Sequence, residues 1–539
     1  MRSEYSTTRT AVQRARGFVR RAFEGIRASA RLSALLVCAT VTLGAIWIAT
    51  QWGPGQNGTF DSAFYLDGSR HLAHGDGYVS ASTQPERLDY APVTRWAPGF
   101  PAMIAATMVL ADVPALSAAA MVLGSAYVSC VLLILLLSMR LLGRHRLAMG
   151  TVAVLFFATQ PDALAALDIL LSDLPFAALA LLNTYLAVKI AQAQRSRFFE
   201  LGTFGCCLAT MVMVRYAGAL FVPGLMMALG TALLLRRRRL LEVVRVLLVP
   251  SIVLTASIAA WIVRNRQFGP EPFGERHPSQ ATFAEMLEPA ARGALSWWFT
   301  IREIAGGAKL EYLVPAATLL ACCTCVALAI SNSARAREAL LFTVLPSASY
   351  FILMVFAASN VRFDPIGNAR FWIPVWPLSI IAVSALIAAS TRVWSHIASF
   401  LLGVMAAALI VGQAALLQRN LPSAQERRGL LAERWQRASV ALPEPLACRL
   451  FVTDVRPFML HRELGPTSEI PLTRGDFDSA ASRHASLCIA TLSKRLRVSS
   501  TAERRRVEQN VVVDALRAEG RLDQIGGTAG VTLYRLKKQ

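Results

Sequence analysis

Along the first three quarters of the chain, apolar residues gather in long runs separated by short arginine-rich stretches. These runs reach or approach the roughly 18–20 residues that a helix needs to cross hydrocarbon. Taken in order, the runs 32–50, 115–139, 147–161, 174–191, 199–214, 217–235, 246–263, 312–330, 339–357, 373–390 and 396–417 predict about eleven transmembrane helices. The stretch WAPGFPAMIAATMVLADVP (96–114) is also apolar, but three prolines interrupt it. It reads as a re-entrant or interfacial helix leading into the second span. After residue 417 the pattern changes. Charged, helix-prone segments (425–440 and 501–519) alternate with strand-like runs RLFVTDV (449–455), LCIATL (487–492) and GVTLYRL (530–536). Residues 418–539 therefore predict a small soluble α/β domain, read as a packing or lid module. The fold class is an all-α polytopic membrane protein with that domain appended.

Composition agrees with a bilayer setting. Of 539 residues 55% are hydrophobic and only 17% charged, against roughly a quarter charged in soluble globular chains. The net charge of +21 comes almost wholly from arginine, since lysine occurs only at 189, 309, 494, 537 and 538. The arginines sit in short loops, which is the positive-inside pattern and argues against nucleic acid as a partner. With the basic N-terminus (1–31) in the cytoplasm, the loops near 140–146, 191–197, 236–245, 331–338 and 391–396 fall on the same side. Loops 51–95, 162–173, a tight turn at 215–216, 264–311 and 358–372, and residues 418–539, then face the exoplasmic side of an inner (plasma) membrane. The run 32–50 ends without a small-residue cleavage site and reads as an uncleaved signal anchor. Cys38, Cys130, Cys206, Cys207, Cys322, Cys323 and Cys325 lie inside apolar runs and read as packing. Cys448 and Cys488 lie in the hydrophilic region, where an oxidising compartment would allow them to pair.

The exoplasmic loops concentrate ionisable side chains at the membrane edge, where a charge is costly unless it is paired, hydrated or functional. They carry Asp61 and Asp67, Arg95, then Asp162, Asp168 and Asp173 in QPDALAALDILLSDLPF. Arg215, Arg264 and Arg266 follow, then Arg362, Asp364 and Arg370. Arginine suits a lipid phosphate because its fork gives bidentate bonds to phosphate oxygens. A carboxylate suits removal of a proton from an acceptor hydroxyl. Structural duties compete for the same residues. Arg215 and Arg264 end helices and can snorkel, Asp168 and Asp173 can serve a helix start, and Asp61 can cap the helix that begins near Thr59. Asp67, His71 and His74 share one helix face and could ligate a metal, although a solvated polar face explains them as well. Phe64 and Tyr65 read as interfacial anchors that hold that helix at the headgroups.

Four stretches, in order, resemble one family. They are FDSAFYLDGSRHLAHGDGYV after the first span, WAPGFPAMIA before the second, ILLSDLPF, and the pair WIVRNRQFG and ARFWIPVWP. Together they are similar to the GT-C superfamily of integral membrane glycosyltransferases. The nearest branch is that of the protein mannosyltransferases and aminoarabinose transferases. The resemblance covers 32–390. It implies transfer of a monosaccharide from a polyprenyl-phosphate donor to a glycan, lipid or protein acceptor, with inversion and without an obligatory metal or other cofactor. It implies Asp61 as general base, Asp173 as the second acid, and Arg95, Arg264 and Arg370 at the donor phosphate. Tyr65, Asp168, Arg215 and Asp364 are secondary candidates. Ser62 stands where many relatives have Glu. The competing readings are a lipid-linked sugar transporter or flippase, which would place ionisable groups near mid-span in two matching halves, and a non-catalytic subunit of a polysaccharide assembly.

Overall fold

The computed structural model describes residues 37, 39–49, 59–81, 90–142, 146–194, 197–274, 276, 278–295, 334–361, 366–390, 449–452, 467–469, 487–492, 512–526 and 531–537. The chain begins with a short apolar helix α1 (Ala39–Ala49), then α2 (Phe60–His74), strands β1 (Val79–Ala81) and β2 (Tyr90–Pro92), and α3 (Gly99–Ala111). Helices α4 (Ala115–Leu141), α5 (Arg146–Ala158), α6 (Pro161–Asp168), α7 (Asp173–Gln192), α8 (Phe198–Val214), α9 (Gly218–Leu235) and α10 (Leu240–Arg266) follow. Among the described residues there follow α11 (Phe283–Ala294), α12 (Ala334–Asn360), a 3-10 turn Ala369–Trp372 and α13 (Trp376–Ser390).

Among the described residues five helices are long and apolar enough to span a bilayer: α4, α7, α9, α10 and most of α12. A sixth crossing forms if α5 and α6 are one bent span, since Met149–Ala158 and Pro161–Asp168 meet at 53°. Proline at the first position of α6 carries no N–H to continue the α5 ladder, which accounts for the break. The stretch expected as a loop at 162–173 thus holds a helix, a correction to the pattern-based reading. Helix α3, at 13 residues, rises only about 20 Å and does not reach across. The predicted spans 312–330 and 396–417 lie outside the described residues.

Burial sorts the helices. In its most apolar window α7 is 67% buried and α10 only 11%, so α7 is central and α10 peripheral. Helix α7 packs on α4 and α8, α8 on α10, α9 on α12, and α12 on α13. Fully buried Asn183 ties the centre together by donating from Nδ2 to the carbonyls of Leu179 at 2.9 Å and Cys207 at 3.1 Å. Between apolar helices in lipid, close approach of small residues replaces a hydrophobic drive. Gly224 of α9 shows this. A Cβ there would strike the Leu345 carbonyl, and would lie 2.6 Å from Ser349 Cβ, on α12. Gly224→Ala is expected to cost about 1–3 kcal/mol, read as a lower thermal-unfolding midpoint of the solubilised protein. An unchanged midpoint would show that α9 and α12 separate freely.

The C-terminal residues form a five-stranded mixed sheet in the order β4-β3-β5-β7-β6. The strands are β3 (Arg449–Val452), β4 (Thr467–Glu469), β5 (Leu487–Leu492), β6 (Leu522–Gly526) and β7 (Val531–Leu536). β3 runs parallel to β4 and β5, and β7 antiparallel to β5 and β6. A helix at 512–518 packs Val512, Val513 and Leu516 against Ile489 and Tyr534 of the sheet. Cys488 is disulfide-bonded, and Cys448 lies outside the described residues. Cys130 is buried as expected, whereas Cys206 is exposed on α8.

Candidate functional site

Helix α2 begins with a capping box. Thr59 Oγ1 accepts from the Ser62 amide at 3.3 Å, and Ser62 Oγ accepts from the Thr59 amide at 2.8 Å. Ser62 Oγ also donates to the Leu170 carbonyl at 2.6 Å, fastening α2 to the segment that leads into α7. The cap is therefore Thr59 and not Asp61. Asp61 sits in the first turn, where the helix dipole favours an anion. Gly75 ends the helix at φ +89, a conformation glycine adopts without strain. The expectation that Phe64 and Tyr65 anchor α2 among headgroups is corrected, because both are buried in protein. Phe64 stacks on Trp96 at 4.5 Å, and Tyr65 meets Phe100 edge-on at 5.3 Å.

Asp61 and Tyr65 lie within electrostatic range of Arg215 just after α8, and Tyr65 also of Asp173 at the start of α7. Asp173, buried in the first turn of α7, forms an ion pair with Arg215 immediately after α8. Burial alone would lower the pKa of Arg215. The Asp173 carboxylate opposes this, and Tyr350, Tyr65 and Asp61 add to it, so the net shift is upward. Arg215 is a fixed cation. Tyr65 hydrogen-bonds Ser172, and burial, reinforced by the Asp61 charge, drives its pKa well above the ordinary tyrosine range. It stays a neutral hydroxyl at any physiological pH. Arg215 and Arg370 both lie over the Phe371 ring, at 5.2 and 5.0 Å.

Two more arginines lie nearby. Arg95 is exposed and lies 5.5 Å from the Trp96 ring centroid. Arg276, from the segment between α10 and α11, donates to the Arg95 carbonyl at 3.2 Å. Protein packed around its guanidinium and the adjacent Arg95 charge lower its pKa, and Asp61 and Tyr65 are close enough to act on it too. Gly274, at φ +75, lets this segment lie directly on the Arg95 backbone. Tyr216 spans the gap, accepting from Trp261 Nε1 at 2.7 Å and donating to the Thr94 carbonyl at 3.2 Å. Burial pushes its pKa up to about 12. Arg276 and Tyr216 escaped the sequence reading. Neither lies in a repeated spacing, and Arg276 is one of many arginines in a long loop.

The structure thus brings Asp61, Tyr65, Asp173 and Arg215 into one electrostatic neighbourhood, with Arg276 linking it to Arg95. Arg264 is engaged differently. It donates to the carbonyls of Val93 at 2.6 Å and Tyr78 at 3.0 Å and to Asn265 Oδ1 at 2.8 Å, clasping the β1–β2 region to α10. Asp168 is buried at the end of α6. Arg362 and Asp364 lie outside the described residues. Asp67 accepts from Ser80 Oγ at 2.7 Å, and His71 Nδ1 pairs with Asp76 at 3.0 Å. Among the described residues no three His, Cys, Asp or Glu side chains gather as a metal site.

No family model and no curated protein sequence matches the chain. Solved structures do match in shape. ArnT from Cupriavidus metallidurans bound to undecaprenyl phosphate superposes with a TM-score of 0.57 at 12% identity, over 93% of this chain and 97% of that one. The same protein in the apo state gives 0.53 at 14% identity, over 94% and 98%. An oligosaccharyltransferase from Archaeoglobus fulgidus, in complex with Zn and sulfate, overlaps more loosely, at 0.47 and 10% identity over 84% and 68%. The ArnT likeness extends over nearly the whole of both chains and is one of fold. The chain is a multi-pass membrane protein that shares the fold of ArnT.

Proposed function

We propose that the protein is a glycosyltransferase that moves a monosaccharide from a polyprenyl-phosphate donor to an envelope acceptor, at a site on the exoplasmic face of the inner membrane. The observation that carries this reading is the placing of Asp61. Thr59 performs the cap, while Asp61 stands among Tyr65, Arg215 and Arg276. A base beside cations fits a reaction that takes a proton from a neutral acceptor and releases a phosphate. The fold shared with ArnT, a protein seen with undecaprenyl phosphate, supports the same donor class.

In this mechanism Asp61 takes the acceptor hydroxyl proton as the acceptor oxygen attacks C1 of the sugar. The bond from C1 to the phosphate oxygen breaks with its electron pair, and the anomeric centre inverts. Arg95 and Arg276 meet the phosphate charge as it grows, which is where preorganised cations lower a barrier most. Asp173 is neutralised by Arg215, so it acts through position, holding Arg215 within range of Asp61. Residues 418–539 then form a soluble domain on the same side as the site.

The test is transfer from a radiolabelled polyprenyl-phosphate sugar by the purified protein in liposomes. Labelled acceptor together with released polyprenyl phosphate supports a transferase. Movement of intact donor between leaflets without transfer would support the transporter reading instead. Arg276→Gln removes a charged hydrogen bond to phosphate worth about 1.5–3 kcal/mol. It is expected to lower kcat/KM for the donor roughly tenfold to hundredfold, and an unchanged value would remove Arg276 from the phosphate site.

A further inference from the structure

Helix α7 joins two ends of the bundle. From Asp173 to Gln192 it rises about 28 Å, and Gln192 enters a second polar cluster. Gln192 Nε2 donates to Glu338 Oε1 at 3.3 Å, and Arg236 Nη2 donates to Glu338 Oε2 at 2.8 Å. Arg140 reaches Gln192 at 3.3 Å and lies 4.8 Å from the Tyr185 ring centroid. Four helices (α4, α7, α9 and α12) are stitched together there. Beside this cluster a cavity of about 270 Å³ opens between the last turns of α9 and the first described turns of α12. Its lining combines Arg236, Arg337 and Glu338 with Ala232, Leu235, Ala334 and Leu341.

The charges of the lining do not cancel. Glu338 is taken by Arg236, whereas Arg337 is exposed and makes no ion pair or hydrogen bond among the described residues. Arg237 and Arg239 stand exposed on the adjoining turn. Leu235 in the lining, and Leu234, Leu240 and Leu241 near it in sequence, are 53–81% exposed, a set of leucines available to an acyl chain. A cavity of this size holds a headgroup and not a whole lipid. An anion site lined in part by an exposed leucine fits a phosphate carried on acyl chains better than a free one.

We propose that this cavity binds the phosphate of an anionic phospholipid, remote from the transfer site. Arg337 and the outer donors of Arg236 would hold the phosphate oxygens, and an acyl chain would lie along Leu234, Leu235, Leu240 and Leu241. Guanidinium forks suit this contact, and one arginine near an anionic surface is worth about fivefold in affinity.

The full-length protein in mild detergent is titrated separately with short-chain phosphatidylglycerol, short-chain phosphatidylcholine and inorganic phosphate. Native mass spectrometry counts bound lipid, and thermal unfolding reports stabilisation. Phosphatidylglycerol is expected to bind and raise the midpoint, with the other two giving little. Arg337→Gln is expected to weaken that binding about fivefold while its midpoint in plain detergent stays at the wild-type value. Arg292→Gln on α11 serves as the control for loss of charge elsewhere. The proposal is overturned if Arg337→Gln binds phosphatidylglycerol as wild type does, or if Arg292→Gln weakens binding equally. It is overturned too if phosphatidylcholine or inorganic phosphate protects as well as phosphatidylglycerol. A fall of the Arg337→Gln midpoint in plain detergent would assign Arg337 to the fold and also overturn it.

Discussion

Asp61→Asn is expected to lower kcat for sugar transfer by about 10²–10⁴, the usual contribution of a positioned general base, while donor KM stays near the wild-type value. The substitution keeps shape and removes only the carboxylate. The helix terminus does not depend on it, because Thr59 and Ser62 close that end between them. The loss of a first-turn anion costs at most about 1 kcal/mol. A rate collapse with an unmoved unfolding midpoint would assign Asp61 to chemistry. Undiminished transfer by the variant would end the assignment, and a parallel loss of stability would return Asp61 to a structural duty. The assay is the liposome reaction with labelled donor, run beside a thermal melt of the same preparation.

The second large effect concerns the buried ion pair. Arg215→Met leaves the Asp173 carboxylate, whose side chain is 4% exposed, without its cation. Breaking a buried pair from one side costs about 3–5 kcal/mol, so the unfolding midpoint should drop steeply. The double variant Arg215→Met with Asp173→Leu removes both charges and leaves apolar volume among Phe371 and its neighbours. Most of the lost stability should return, as apolar replacements of buried pairs generally allow. Activity should not return, because Tyr65 and Asp61 would lack the cation within their range. If the double variant melts as low as the single one, the pair contributes through packing and not through charge. If it recovers both stability and transfer, neither residue serves the reaction.

The long helices were legible in the sequence because a bilayer demands an apolar run of fixed length, and nothing subtler is needed to see one. The bend at Pro161 was visible as a proline, but not as a break within a span, since apolar residues continue on both sides. In the C-terminal part, β5 and β7 are apolar enough to read. β6 (Leu522–Gly526) is not, because an edge strand with Asp523 and Gln524 has no apolar alternation to show. The acids and arginines of the site were legible as types at a membrane edge. Their roles were not, because these depend on who pairs with whom. Arg215, a secondary site candidate that could equally have been a snorkelling side chain, proves to be the partner of Asp173. Arg264 looked like a phosphate ligand, and its described hydrogen bonds go to the carbonyls of Tyr78 and Val93 and to Asn265. Arg276 reaches the site only because a left-handed glycine at 274 lays its segment on Arg95.

The serine at position 62 has a consequence for electroneutrality. It is wholly buried, and its hydroxyl points at a carbonyl. A carboxylate in its place would set acceptor against acceptor and add a negative charge beside Asp61. With serine there, the charged groups that these electrostatic interactions chain together among the described residues are two carboxylates, Asp61 and Asp173, and three guanidiniums, Arg95, Arg215 and Arg276. One positive charge is left over, which matches the single negative charge of a sugar joined to a lipid through one phosphate. In the proposed transfer that set is short of one anion until the donor binds. The phosphate would then leave with its second negative charge, and the proton taken up by Asp61 would restore the balance.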